Sequence, residues 1–325
     1  MDPAIERLTV RGANGALLPD QVAFKRLVNA YGFALAPEAF HPAHTTGFGG
    51  FHLGVEGLYT KIDADADYIR RGTRGSTDPS TATGASENTS PSSLLQLYSV
   101  RMRKGFGFGI EVGGQFGFLP QTSIMSGGVD LRFALLEGFR DGVFGYIPDL
   151  SVGGGVRTIT GSSQLQLTVA GADAQISKPI TVSDTGVLTP WLGFQYLWIF
   201  GDSGLVDLTP TVDAQGACGF QGQNTPGNPV APGDDPDNPT RNGQPVCSGG
   251  DSADYGNNVV FDPVRLQRQR FLVGLSYRYE MVVASGQFMM DWLPPDAAQA
   301  DSGDEAALDG EAKQWAFVVE LGAQF

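Results

Sequence analysis

The closing stretch Gln314-Trp315-Ala316-Phe317-Val318-Val319-Glu320-Leu321-Gly322-Ala323-Gln324-Phe325 decides how this chain is read. With a period of two, Trp315, Phe317, Val319, Leu321, Ala323 and Phe325 share one face. Gln314, Ala316, Val318, Glu320, Gly322 and Gln324 share the other. Alternation of this kind marks a strand, because successive side chains point to opposite sides of a pleated sheet. In water such a strand at the end of a chain would leave an exposed, adhesive edge. If it closes a barrel in lipid, every backbone group finds a partner and the apolar face meets acyl chains.

The same rhythm runs back through the chain. Phe51, Leu53, Val55, Gly57 and Tyr59 alternate with His52, Gly54 and Glu56 in a first strand. A second strand over 93–104 sets Tyr98, Val100 and Met102 against Ser99, Arg101 and Arg103, and Lys104-Gly105 turns it. A third opens at Phe106 and Phe108 and sets Ile110, Val112, Phe116 and Phe118 against Glu111 and Gln115. A fourth sets Val129, Leu131 and Phe133 against Asp130 and Arg132, and a fifth sets Val152 and Val156 against Ser151 and Arg157. In the sixth, Leu165, Leu167 and Val169 read as outward, after which the phase changes to Ala172, Ala174 and Ile176, which suggests a bulge beside Gly171. The seventh carries Leu192, Phe194, Tyr196, Trp198 and Phe200. The eighth sets Phe271, Val273, Leu275 and Tyr277 against Arg270, Ser276 and Arg278. The ninth sets Phe288, Met290 and Trp292 against Gln287 and Asp291, and only a phase change between Tyr279 and Val282 separates it from the eighth.

The expected fold is therefore all-β: an antiparallel, up-and-down transmembrane barrel of about ten strands over 46–325. The loops support this count. With both termini periplasmic, the three long connections, 63–91, 202–262 and 293–312, all fall on the outer side. Outer-membrane barrels have short periplasmic turns and long external loops. Trp198, Trp292 and Trp315, with the terminal Phe325, lie near strand ends on the apolar face, where an aromatic girdle belongs. Residues 1–45 break the pattern and read as a periplasmic segment with an amphipathic helix over about 18–35, which packs on the barrel mouth, enters the lumen or lies in the membrane interface. Pro19 and Asp20 suit its first turn, and Pro37 and Pro42 stop it.

The terminal strand ending in Phe resembles bacterial outer-membrane β-barrels, whose last strand serves as the signal for the barrel-assembly machinery. The helix led by Leu18-Pro19-Asp20, followed by a Gly-aromatic first strand, is similar to barrel proteins of uncharacterised role in Gram-negative genomes. The resemblance implies an outer-membrane location, membrane lipid as surroundings and the assembly machinery as a partner. It implies no activity. The chain opens Met-Asp-Pro without a cationic and apolar leader, so either a signal peptide has been removed or the start is mis-set.

Composition excludes several functions. The net charge of −14 and the lack of a basic patch speak against nucleic acid. No run of apolar residues is long enough for a spanning helix, and the mean hydropathy is −0.09, as interleaved strands would give. Cys218 and Cys247 bracket a Pro/Gly/Asn-rich segment and suggest a disulfide formed in an oxidising compartment. Asp234, Asp235 and Asp237 could hold Ca²⁺ only weakly, since they lack the spacing of a calcium loop, so no metal and no cofactor is expected.

The three histidines, His41, His44 and His52, fall in the N-terminal linker and at the start of the first strand. No Gly-x-Ser-x-Gly elbow is present. The chain is thus expected not to be an enzyme acting on lipid or peptide. Glu56, Arg101, Arg103, Glu111, Asp130, Arg132, Arg157, Arg278, Asp291 and Glu320 face the lumen by phase. They either pair and fill it or line a narrow pore. The favoured function is a non-enzymatic structural or surface protein, or a narrow pore, with a largely filled lumen. The alternative is a transporter of small or hydrophobic solutes.

Overall fold

In a computed structural model, ten strands close an antiparallel barrel, each paired with its sequence neighbours and the last with the first. They are β1 (Phe51–Lys61), β2 (Leu94–Gly105), β3 (Ile110–Phe118), β4 (Met125–Leu136) and β5 (Asp149–Thr160), then β6 (Leu165–Ser177), β7 (Gly186–Ser203), β8 (Val264–Tyr279), β9 (Val282–Asp291) and β10 (Trp315–Gln324). The structure describes residues 1–13, 17–75, 87–138, 146–182, 185–208, 218–220, 245–247, 258–299 and 305–325. Closure runs through Gln324 opposite His52 and Ala316 opposite Thr60. The Phe325 and Phe51 backbones exchange two hydrogen bonds, 2.8 and 3.0 Å, which seal the seam at the chain's last residue.

The start of the expected third strand changes. Phe106 and Phe108 do not begin β3. Residues 107–109 form a single 3₁₀ turn with Phe108 at φ +63°, and Phe106 N–H donates to the Ile110 carbonyl. The β8–β9 join is a two-residue turn in which Glu280 takes φ +53°.

Sidedness is sharp around the middle of the barrel. Val55, Phe116, Val129 and Leu321 are each at least 60% exposed and point away from the axis. On the opposite phase Glu56, Arg101, Glu111 and Arg157 are buried. A soluble monomer rarely presents so continuous an apolar surface to water.

Toward the end that carries the long loops, the polarity reverses. Leu165, Leu167 and Val169 point inward and are buried, while Gln166 and Thr168 face out. The expected phase change beside Gly171 is therefore absent. The pairings of β6 with β5 and β7 run through Gly171 without a break, and the register shift lies instead between Ala134 and Leu136 of β4. The inward face changes from charged to apolar because it meets a different neighbour at this level, namely a helix.

That helix is α1 (Gln21–Ala34). Asp20 is its cap rather than part of its first turn: its carboxylate accepts the Ala23 N–H at 3.0 Å, which stabilises such a terminus by about 1 kcal/mol. Phe24, Leu27, Val28 and Tyr31 are buried against Ile199, Leu266 and their neighbours on the inner wall. The approach is close. A Cβ on Gly32 would lie 2.6 Å from the Ile199 side chain, and one on Gly201 would overlap Val28.

The helix thus sits at the long-loop end, not at the short-turn end where a periplasmic segment was expected. A second helix, α2 (Asp67–Gly72), lies within the first long loop and packs on α1. Together with Ile5, Leu8, Phe261 and Leu308 the two helices form an apolar cap over the barrel mouth. Within it, Tyr68 Oη donates to Glu311 at 2.8 Å, and burial, then the Glu311 carboxylate, raises that phenol well above the ordinary tyrosine range.

Candidate functional site: the threaded lumen

From the end of α1 the chain runs down the interior and emerges beside the short turns, where β1 begins. Ten strands enclose more room than inward side chains alone fill, since eight already give an interior that side chains can close. The extra space is taken by residues 33–46. Pro37 and Pro42 lack N–H groups and stand in a stretch that pairs with no strand, so the wall has two fewer donors to satisfy there.

Many of the segment's backbone groups are met by wall side chains, as buried amides require. Arg268 donates to the Asn29 carbonyl at 3.2 Å, and Arg270 to those of Phe33 at 3.2 Å and Pro37 at 2.6 Å. Arg157 reaches Ala36 O at 3.0 Å, Gln287 reaches Glu38 O at 2.8 Å and Gln175 reaches Ala39 O at 2.8 Å. Arg132 holds Pro42 O at 2.9 Å. Further down the polarity of the contacts switches. The Ala43, Thr45 and Thr46 N–H groups donate to Ser177 Oγ, Glu137 and Glu111, at 3.0, 2.9 and 2.8 Å.

Glu38 is the centre of the arrangement. Its carboxylate is wholly buried. Arg157 grips it with both terminal nitrogens, at 2.6 and 2.5 Å, and Arg101 adds a third bond at 2.7 Å. Arg101 also bonds Glu56 at 2.5 Å and Asp130 at 3.2 Å. Gln115 and Ser99 complete the Glu56 oxygens at 2.6 and 3.0 Å. Below this set, His52 Nε2 lies 2.8 Å from Glu320, across the seam between β1 and β10. Arg103 and Arg132 both approach Glu111, at 3.5 and 3.6 Å. Above it, Asp291 pairs with Arg268.

The lumen-facing residues read from the sequence thus separate into three sets. Glu56, Arg101, Arg103, Glu111, Arg132, Arg157, Asp291 and Glu320 are buried in this network. Asp130 is only partly covered. Arg278 departs from the expected enclosure: it is exposed at the short-turn mouth, where it lines a cavity of about 300 Å³ with His44, Glu137 and Ser276. Sequence reading missed Glu38, Arg268 and the inward Trp191, whose indole donates to Gln287 at 2.8 Å. Trp198, Trp292 and Trp315 face outward, and the Trp315 ring stacks on Phe288 with centroids 6.1 Å apart.

Within the lumen, the void left beside Arg101, Asp130 and Arg132 measures about 10 Å³, room for one water at most. On the outer wall a wider apolar groove of about 620 Å³ crosses Gly153–Gly155 and touches the same Asp130 and Leu131. No group of His, Cys, Asp and Glu suited to a metal ion occurs among the described residues. Asp234, Asp235 and Asp237 lie outside them. The backbones of Cys218 and Cys247 stand opposite each other in a short ladder, and their side chains lie outside the described residues.

No family model matches the chain, and no curated protein does. Among solved structures it is similar to Ail, the attachment invasion locus protein of Yersinia pestis, solved with the heparin analogue sucrose octasulfate: 9% identity, 86% of this chain and 100% of that one covered, TM-score 0.27. The KdgM porin matches at 8% identity over 84% of this chain and 99% of that one, with a TM-score of 0.28. Likenesses this distant carry no activity or ligand over to this chain.

Proposed function

We propose that the chain spans the bacterial outer membrane as a barrel stoppered by its own N-terminal segment, with the helical cap and long loops on the outer face. It serves there as a non-enzymatic structural or surface protein, not as an open channel. The observation that carries the reading is the combination of an outward apolar belt with a lumen filled by residues 33–46 and clamped at Glu38. Lipid accounts for the belt. The clamp accounts for the closed interior, since a water-filled pore needs an unobstructed path. The terminal strand ending in Phe325 fits recognition by the barrel-assembly machinery.

An epitope tag fused before Met1 tests the arrangement. On intact Gram-negative cells expressing the protein, an antibody should reach the tag, because the N-terminus lies with the long loops. If the tag is reached only after the outer membrane is permeabilised, the orientation is wrong.

Lateral passage of hydrophobic solutes is the second reading, favoured by the groove over Gly153–Gly155. Against it stands the 10 Å³ void behind that wall, which holds nothing larger than water.

A further inference from the structure

The wall recognises the threaded segment in two ways. Bonds to the carbonyls of Asn29, Phe33, Ala36, Pro37, Ala39 and Pro42 read main chain alone and place no demand on sequence. Several side chains are read individually, among them Asn29, whose Oδ1 accepts from Arg268 at 3.0 Å, and Thr45, whose hydroxyl donates to Glu137 at 3.1 Å. Glu38 is held by Arg157 and Arg101. The Phe33 ring lies under two guanidinium groups, 4.7 Å from that of Arg268 and 5.1 Å from that of Arg270. The Phe40 ring meets Trp191 with centroids 6.0 Å apart. This is the chemistry of peptide recognition: main-chain bonds give affinity, and a few pockets give specificity.

A second observation separates a receptor from a mere core. Most of the wall cations keep partners on the wall itself. Arg101 retains Glu56 and Asp130, Arg268 retains Asp291, Arg270 retains Gln195 at 3.1 Å and Arg132 retains Glu111. Arg157 is the exception, because the partners described for it, Ala36 O and Glu38, both belong to the threaded segment. The charges of the empty lumen are therefore largely balanced before anything enters. One arginine is reserved for the occupant, and the cost of organising the site on binding is small.

We infer that the barrel interior is a binding site for an acidic peptide, one carrying an aromatic five residues before its carboxylate and another two residues after it. Residues 33–40 are the resident occupant, and a second peptide of the same chemistry can take their place. The inference rests on the reading of residues 33–46 as a removable stopper, and not on the membrane location.

The exit from the lumen makes the test practicable. Gly47 and Gly49 take φ +83° and +78°, and Phe48 between them is 89% exposed. A protease site placed there in the full-length protein allows the segment to be cut from the barrel after folding, in detergent. The nicked protein is then incubated with a fluorescent synthetic peptide of residues 29–46. Peptide uptake is followed by anisotropy, and release of the resident fragment by mass spectrometry.

The labelled peptide should enter as the resident fragment leaves. A peptide carrying Glu38→Gln should compete at least about tenfold more weakly, since it leaves Arg157 without an anion. The Arg157→Met protein should show a much smaller distinction between the two peptides, the remainder coming from Arg101. The inference is overturned if the fragment never exchanges, if it leaves and nothing rebinds, or if the Glu38→Gln peptide competes equally well. An epitope tag hidden on intact cells would instead defeat the proposed orientation and leave this inference standing.

Discussion

Glu38 and Arg157 face each other fork to fork inside the barrel, 2.6 and 2.5 Å apart, 119 positions distant in sequence. Arg157 belongs to the wall and Glu38 to the chain that runs through it. This pair, more than the apolar packing of α1, fixes the register of the threaded segment, because a slip by one residue would carry the carboxylate away from both of its arginines. A bidentate charge pair does not tolerate sliding.

Glu38→Gln should therefore destabilise the protein by about 3–5 kcal/mol, the usual cost of removing one partner from a buried ion pair. Urea unfolding in detergent, followed by the heat-dependent gel shift of the closed barrel, measures it. The double variant Glu38→Gln/Arg157→Met should recover much of that loss, since it no longer buries an unpaired guanidinium.

The seating of α1 on the wall is tight where Gly32 meets Ile199 and where Gly201 meets Val28. Gly201→Ala should cost about 1–3 kcal/mol by overpacking, because the added methyl meets the stiff, branched Val28. Gly127→Ala, where a Cβ would find open space on the outer face, should be nearly neutral. Equal effects of the two in the same unfolding assay would mean that the helix is not docked as described.

The cap has its own pH dependence. The folded-state Tyr68 phenol lies above its ordinary value, raised by burial and then by Glu311. The group's contribution is thus complete below the unfolded value of about 10 and is lost as the pH rises above it. The urea midpoint should fall between pH 9 and 11, and Tyr68→Phe should flatten that slope. An unchanged slope in Tyr68→Phe would remove Tyr68 as the cause.

Cys218 and Cys247, opposite each other on the backbone ladder, are expected to form a disulfide. Intact mass should then be two hydrogens lower before reduction than after. A loop of this size would contribute about 3–4 kcal/mol in the chain-entropy picture. Two thiols alkylated without prior reduction would rule the bond out.

The barrel wall was legible in the sequence because period-two alternation is a local property of each strand. Even the join between β8 and β9 showed as a phase change where no Gly or Pro marked it. The position of the threaded segment was not. Residues 33–46 carry no periodicity, and the same Pro37 and Pro42 that allow the chain to thread read from sequence as the end of a helix. One signal was available. Phe33-Ala-Leu-Ala-Pro-Glu-Ala-Phe40 sets a single carboxylate in an otherwise apolar stretch, and the inward phases of the strands held arginines able to receive it. The inward Leu165, Leu167 and Val169 misled for a related reason. A side chain's facing follows from what fills the interior at its level, and strand phase alone does not report that filling.

The closed lumen is the central claim, and conductance across a planar bilayer tests it most directly. The intact protein should insert without steady current, and Glu38→Gln should show intermittent openings as the segment loosens. Large, stable currents from the unaltered protein would contradict a barrel stoppered by its own chain.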